Sequence, residues 1–206
     1  MGITYNFKRS VNSYKYSNIK IKVGFYSSLI SFSEQTVEWN SDTSAYLVGQ
    51  RENFNIINPE VQLEMLKRIK KFSYELAKKK GKILYVNEAA NCKFDGIVKF
   101  LSYKAGQNFV VGRWPCGLIT KNKSLDVSCI LLFNPSKSKF PIKEGNKLGL
   151  PIISLNNLGM SISKTMYPII CNNIEGNSAF FSVLLLSHSI LEGNLFEFTK
   201  KHLKTF

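Results

Sequence analysis

Few residues of this chain are of the kinds that carry covalent chemistry, and their spacing assembles no reaction. His188 lies inside an apolar helical run, where a hydrogen-bonded core histidine is the expectation, and His202 sits in a basic tail beside Lys200, Lys201 and Lys204. No serine or cysteine occupies a G-x-S-x-G elbow, and the carboxylates scatter along predicted helices without forming a nameable acid–base pair. Cys92, Cys116, Cys129 and Cys171 are too dispersed for a C-x-x-C metal clamp, and nothing suggests a secreted disulfide framework. They read as reduced, mostly buried small hydrophobes. After Lys82–Val86 the chain runs Asn87-Glu-Ala-Ala-Asn91, without the glycines of a dinucleotide turn. Gly145 and Gly149 read as a helix and its C-terminal cap, and no G-x-x-x-x-G-K-S/T phosphate loop occurs. Neither a catalytic residue, a cofactor nor a metal site is expected.

Binding chemistry is better represented. Lysine and arginine number 28 against 14 acidic residues, a formal charge of +14. An excess of that size repels itself unless an anionic partner neutralises it. Nucleic acid is the first candidate partner, an anionic membrane surface the second, and a merely basic soluble protein the third. No acid precedes Glu34, whereas Lys8, Arg9, Lys15, Lys20 and Lys22 do. That acid-free start suits either a mitochondrial targeting segment or an RNA-binding arm, and its β-branched, tyrosine-rich content makes a poor amphipathic helix. The sharpest candidate is Val110-Val-Gly-Arg-Trp-Pro-Cys-Gly-Leu-Ile-Thr-Lys-Asn-Lys123. Arg113 offers a planar fork for phosphate, with Lys121 and Lys123 as added point charges. Trp114 offers a stacking face, unless its ring packs beneath the loop.

These groups need a scaffold, and 44% hydrophobic with 20% charged residues is the composition of a globular domain rather than a disordered chain. Residues 1 to about 45 carry no strong helical period and read as an extended arm with one or two short strands. From Pro59, apolar Val61, Leu63, Leu66, Ile69, Phe72 and Leu76 mark a helix, ended by Lys78–Lys80 and a Gly81 stop. Lys82–Asn87, Asn108–Val111, Val127–Phe133, Pro151–Leu155 and Tyr167–Cys171 read as strands. Helices about 88–104, 140–148 and 178–192 fall between or after them. The nearly continuous apolar strands suit a parallel sheet covered on both faces, so the alternation predicts a doubly wound α/β domain. The apolar run Ala179–Leu191 is shorter than the roughly 20 residues that span a bilayer, so a buried helix is the expectation. Lys, Asn, Ile, Phe and Tyr abound and arginine is scarce, a bias towards A/T-rich codons.

The Arg113–Thr120 stretch resembles the Arg-Trp-x-Gly-Gly-x-Leu-Thr-Asn signature of the bacterial and organellar small-subunit ribosomal protein S2 family. Arg113, Trp114, Gly117 and Thr120 match, whereas Cys116, Ile119 and Lys121 replace family residues. Further segments resemble the family in its order. Gln35-Thr36-Val37-Glu38-Trp39-Asn40 is similar to Gln-Thr-x-x-Trp-Asn, and Tyr46–Asn58 to Tyr-Ile-x-Gly-x-Arg-Asn-Gly-x-x-Ile-Ile-Asp. Lys80–Val86 is similar to the first core strand, Ile142–Ile152 to Ile-x-Glu-Ala-x-x-Leu-Gly-Ile-Pro-Val, and Asn172 and Leu191-Glu-Gly193 to residues around the last helix.

There are also departures. Members have a long helical hairpin after the Arg-Trp signature, where only Lys121 to Asp126 connect the elements here. The family's His-Phe-Gly-His is replaced by Ser31-Phe32-Ser33-Glu34, so a role resting on those histidines does not carry over.

The resemblance implies a flavodoxin-like (Rossmann-like) α/β fold, a parallel sheet flanked by helices with the coiled-coil hairpin absent. Residues 31–195 would be the domain, 1–30 a basic arm and 196–206 a basic tail. It implies a structural constituent of a small ribosomal subunit, a mitochondrial version given the divergence and codon bias. The partners would be small-subunit rRNA and neighbouring ribosomal proteins, with no membrane and no homo-oligomer. Gln35, Thr36, Trp39, Asn40 and Arg51 then join the basic arm and the Arg113–Lys123 stretch as candidate RNA contacts. An α/β enzyme or ligand-binding protein with a basic surface is the alternative.

Overall fold

The computed structural model of the chain describes residues 32–35, 40–52, 54–88, 95–121, 125–172 and 177–203, with backbone alone at 32–35, 177–178, 197 and 199–203. Two sheets are present. The smaller is antiparallel, built from β1 (Phe32–Gln35), β2 (Leu47–Arg51) and β3 (Phe54–Ile57) in the order β1-β3-β2. A 3-10 turn at Ser41–Tyr46 precedes β2. The β2–β3 hairpin is an addition to the sequence reading, which placed short strands only before residue 45. The turn residue Glu52 has φ 55°, a conformation that glycine or asparagine would mark in a sequence.

Helix α1 (Pro59–Lys78) starts where expected. The Asn58 side chain accepts from Glu60 N at 3.0 Å, and Pro59 occupies the first turn. Its end differs by one residue from the expected glycine stop. Lys80 takes the left-handed conformation at φ 60°, and Gly81 N donates to Leu76 O while Lys80 N donates to Ala77 O. This is a Schellman ending with lysine where glycine is favoured.

The second sheet is wholly parallel, with β4 (Ile83–Asn87), β5 (Asn108–Val111), β6 (Cys129–Leu132), β7 (Ile152–Asn156) and β8 (Tyr167–Ile170) in the order β5-β4-β6-β7-β8. Counted within the sheet, that is 2-1-3-4-5, the flavodoxin-like order, with its topological switch between β4 and β6. Every residue of β4, β6 and β7 is buried, as strands covered on both faces require. The connecting helices are α2 (Asp95–Lys104), α3 (Leu118–Lys121), α4 (Lys139–Lys147) and α5 (Asn177–Leu203).

Alternation along the strands divides the core into two layers. On one face Ile83, Tyr85, Leu131, Ile153 and Leu155 meet α1, α2 and α5. On the other Leu84, Val86, Ile130, Leu132 and Ile152 meet Ile142 of α4 together with Trp114 and Ile119. Buried polar groups tie the layers to the strands. Tyr85 Oη lies 3.1 Å from Ser187 Oγ of α5, and burial raises its pKa to about 12. Gln107 Oε1 accepts from Ile83 N at 2.7 Å. The small sheet adjoins the β8 edge, where Ile57 packs with Ile170 and Leu158, and Thr43 Oγ1 donates to Leu158 O at 2.9 Å.

α5 runs to Leu203 rather than ending near 192. Its window Ala179–Phe196 is 18 residues long and apolar enough to cross a membrane by length and composition, and 44% of it is buried within the fold. Ala179, Val183, Leu186 and Ile190 form that buried side. Gly193 lets α5 cross α1 closely, because a Cβ there would stand 2.7 Å from Ala77 Cβ and 2.8 Å from Tyr74 O. His188 does not join the core. Its side chain is 67% exposed, with Nδ1 3.5 Å from Glu192 Oε1. The helix is apolar on nearly every side, so sequence alone could not phase which face the sheet takes. Cys129 and Cys171 are buried free thiols and Cys116 an exposed one; Cys92 lies outside the described residues.

Candidate nucleic-acid interface

The segment joining β5 to α3 has an inner and an outer side. On the inner side Trp114 is only 3% exposed and Ile119 8%, both packed against β4, β6 and α4. The packing alternative therefore holds for Trp114, whose ring is not open to stack on a base. On the outer side Arg113 and Lys121 are exposed. The loop is held by one carboxylate. Glu144 Oε1 of α4 accepts from Trp114 Nε1 at 3.1 Å and from Gly117 N at 2.7 Å, and Oε2 accepts from Ile119 N at 3.3 Å. Gly117 sits at φ +84°, a conformation that favours glycine. Desolvation pushes the Glu144 carboxyl up, but the N–H donors of Gly117, Trp114, Ile119 and Thr120 outweigh it and hold it below its ordinary value.

Glu144 is the loop-anchoring residue that sequence reasoning missed. Flanked by Lys139, Lys143 and Lys147 it reads as one acid on a solvated basic helix, and only the α4 segment's likeness to the family pattern pointed to it.

At the topological switch, where doubly wound folds hold ligands, the chain supplies its own groups. Glu88, just beyond β4, has its Oε2 buried without a hydrogen-bond partner, and burial raises its carboxyl above the ordinary value although the Ser138 side chain and the Trp114 backbone favour the charged form. Asn87 Nδ2 donates to Asp95 Oδ1 at 2.7 Å. Side chains of the chain itself thus line the strand ends that a cofactor would use.

The other sequence candidates fall elsewhere. Asn40 is a capping residue whose side chain accepts from Asp42 N at 3.2 Å. Gln35 and Arg51 both pair with Phe54, in one row across the small sheet, and Arg51 is exposed. They lie in the small sheet, whose Ile57 packs beside β8, whereas Arg113 follows the opposite edge strand β5, so the candidates form two groups rather than one site. Lys8, Arg9, Lys15, Lys20, Lys22, Thr36, Trp39 and Lys123 lie outside the described residues.

A flavodoxin-ordered sheet, with its switch point occupied by its own side chains and a carboxylate-pinned loop presenting cations, defines a basic α/β binding module. The family model for ribosomal protein S2 matches residues 27–129, and the chain belongs to that family. It is 21% identical to small ribosomal subunit protein uS2 of Ehrlichia chaffeensis over 211 aligned residues, covering 79% of this chain and 73% of that protein. Against uS2 of Coxiella burnetii it is 33% identical over 96 residues, 47% of this chain and 30% of the relative. Against uS2 of Spiroplasma citri it is 31% identical over 103 residues, 50% and 28% respectively. The stronger identities thus concern about half of the chain.

Proposed function

We propose that the protein is a structural, non-catalytic constituent of the small ribosomal subunit, holding small-subunit rRNA and neighbouring ribosomal proteins. The observation that carries this reading is the S2 family match over residues 27–129. The loop geometry supports it, because Glu144 anchors the inner side while Arg113 and Lys121 face solvent as phosphate contacts. Lys123, the lysines of residues 1–30 and the Gln35–Arg51 row extend the contact surface. Trp114 and Asn40 serve by shaping the loops that carry these groups. The +14 charge supports the choice of an anionic partner.

The site of action is the mitochondrial ribosome. The A/T-biased residue usage and the short 122–128 link in place of a helical hairpin are what favour an organellar version. The protein acts without membrane attachment and without self-association, with Ala179, Val183, Leu186 and Ile190 tying α5 into the fold.

Binding of the purified chain to small-subunit rRNA at several salt concentrations tests the RNA part. Neutralised phosphates release counterions, so affinity should fall steeply between roughly 50 and 200 mM salt. A flat dependence would remove the phosphate-contact argument. Organelle fractionation with protease protection tests the location, and recovery outside the matrix would overturn it.

A further inference from the structure

The outward face of α2 carries groups that neither the core nor the Arg113 loop uses. Val98, Leu101 and Ser102 face inward and are buried, which turns Lys99, Phe100, Tyr103 and Lys104 outward. Phe100 is 58% exposed and Tyr103 80%, although each ring would bury readily if a partner covered it. Lys104 Nζ stands 5.7 Å from the Phe100 ring centroid, so a cation already sits over that aromatic face. On the neighbouring edge strand, Phe109 of β5 is also exposed. The chain has no Asp or Glu from residue 96 to residue 125, and the one acid of α2, Asp95 a turn before Lys99, accepts from Asn87 Nδ2 at 2.7 Å.

We infer that the outer face of α2 is a second RNA-contact surface, in which Phe100 and Tyr103 stack unpaired bases and Lys99 and Lys104 hold the flanking phosphates. Charge complementarity selects this occupant. A protein partner would have to cover two lysines as well as two rings, and lysine is depleted in such interfaces. RNA brings π-faces and phosphates together, which is the pairing of groups this face offers. The inference rests on the rRNA-binding reading above and adds a surface that the Arg113 loop does not contain.

The test compares the full-length protein with two double variants, using an in vitro transcript of small-subunit rRNA as probe. Phe100→Leu with Tyr103→Leu keeps the face apolar and removes the rings, while Lys99→Gln with Lys104→Gln removes the charge. Loss of the rings should weaken binding about tenfold or more without changing its salt dependence. Loss of the lysines should flatten the slope of log affinity against log salt by about 1.4, two contacts at the single-strand value. Unaltered melting temperatures would show that both variants fold.

If both bind within twofold of the parent at every salt concentration, the inference is overturned while the wider rRNA reading stands. If they bind rRNA normally but fail to enter small subunits, the face docks a protein and the inference is again overturned. If the parent chain itself shows no salt-dependent binding, the wider reading fails and takes this surface with it.

Discussion

Replacing Glu144 with alanine removes the acceptor that ties α4 to the Trp114–Ile119 loop. Besides the Thr120 N–H, three N–H groups bonded at 2.7, 3.1 and 3.3 Å lose their partner, and one of the three belongs to a ring that is 3% exposed. Hydrogen bonds to charged acceptors are worth roughly 1.5–3 kcal/mol each. The three share one carboxylate that is partly open to solvent, and the longest contributes little, so the deletion should cost roughly 3 kcal/mol in total. For a chain of this size that lowers Tm by roughly 6–12 °C. Glu144→Gln keeps the shape but sets an amide NH2 against one N–H donor, and should lose about half as much.

The pH dependence provides the sharper check. The folded carboxyl is held below its ordinary value, so its contribution is full above the unfolded pKa near ~4.3 and fades as pH falls through the folded one. Thermal melts followed by tryptophan fluorescence at neutral pH and near pH 3 should therefore show a large difference that shrinks with acid. An alanine variant melting within about 1 °C of the parent at neutral pH would refute the clamp.

Lys80→Gly relieves a left-handed lysine at the end of α1 and should stabilise by about 1 kcal/mol, read as a higher urea midpoint with unchanged slope. Gly193→Ala places a methyl group 2.7 Å from Ala77 Cβ and 2.8 Å from Tyr74 O, and should destabilise by roughly 1–3 kcal/mol as α5 is pushed off α1. Glu88→Gln removes a carboxylate whose pKa burial raises. Ionised Glu88 therefore weighs against the folded state above its unfolded pKa, and the variant should melt higher at pH 7, with the gain vanishing as pH falls and the native acid protonates. A lower melting temperature for Glu88→Gln at pH 7 would show instead that Ser138 and Trp114 favour the charge by more than burial opposes it.

The parallel sheet was legible because its strands are short, almost wholly apolar runs bounded by glycine, proline or asparagine, and Asn58-Pro59 announced α1 in the same local terms. Legibility failed where tertiary packing decides. The β2–β3 hairpin turns at Glu52 rather than at a glycine, so the usual turn signal is missing. Within α5, apolar residues occupy nearly every side, and only the sheet's demand for Ala179, Val183, Leu186 and Ile190 shows that His188 must face out.

The Arg113–Lys121 loop was half legible. Arg113 and Trp114 stood out by type, but whether the ring stacks or packs depended on Glu144, which lies 30 residues along the chain and reads locally as a solvated acid. Gln35 and Arg51, like Arg113, are polar side chains read as candidate contacts, but they fall in the separate small sheet, which packs beside β8 through Ile57, while Arg113 follows β5.

Sedimentation of a gently prepared native lysate decides most cleanly between a ribosomal constituent and a free protein. The protein should travel with small subunits and assembled ribosomes at low salt, and leave them as salt is raised. A protein that remains at the top of the gradient at low salt, apart from both particles, would contradict it.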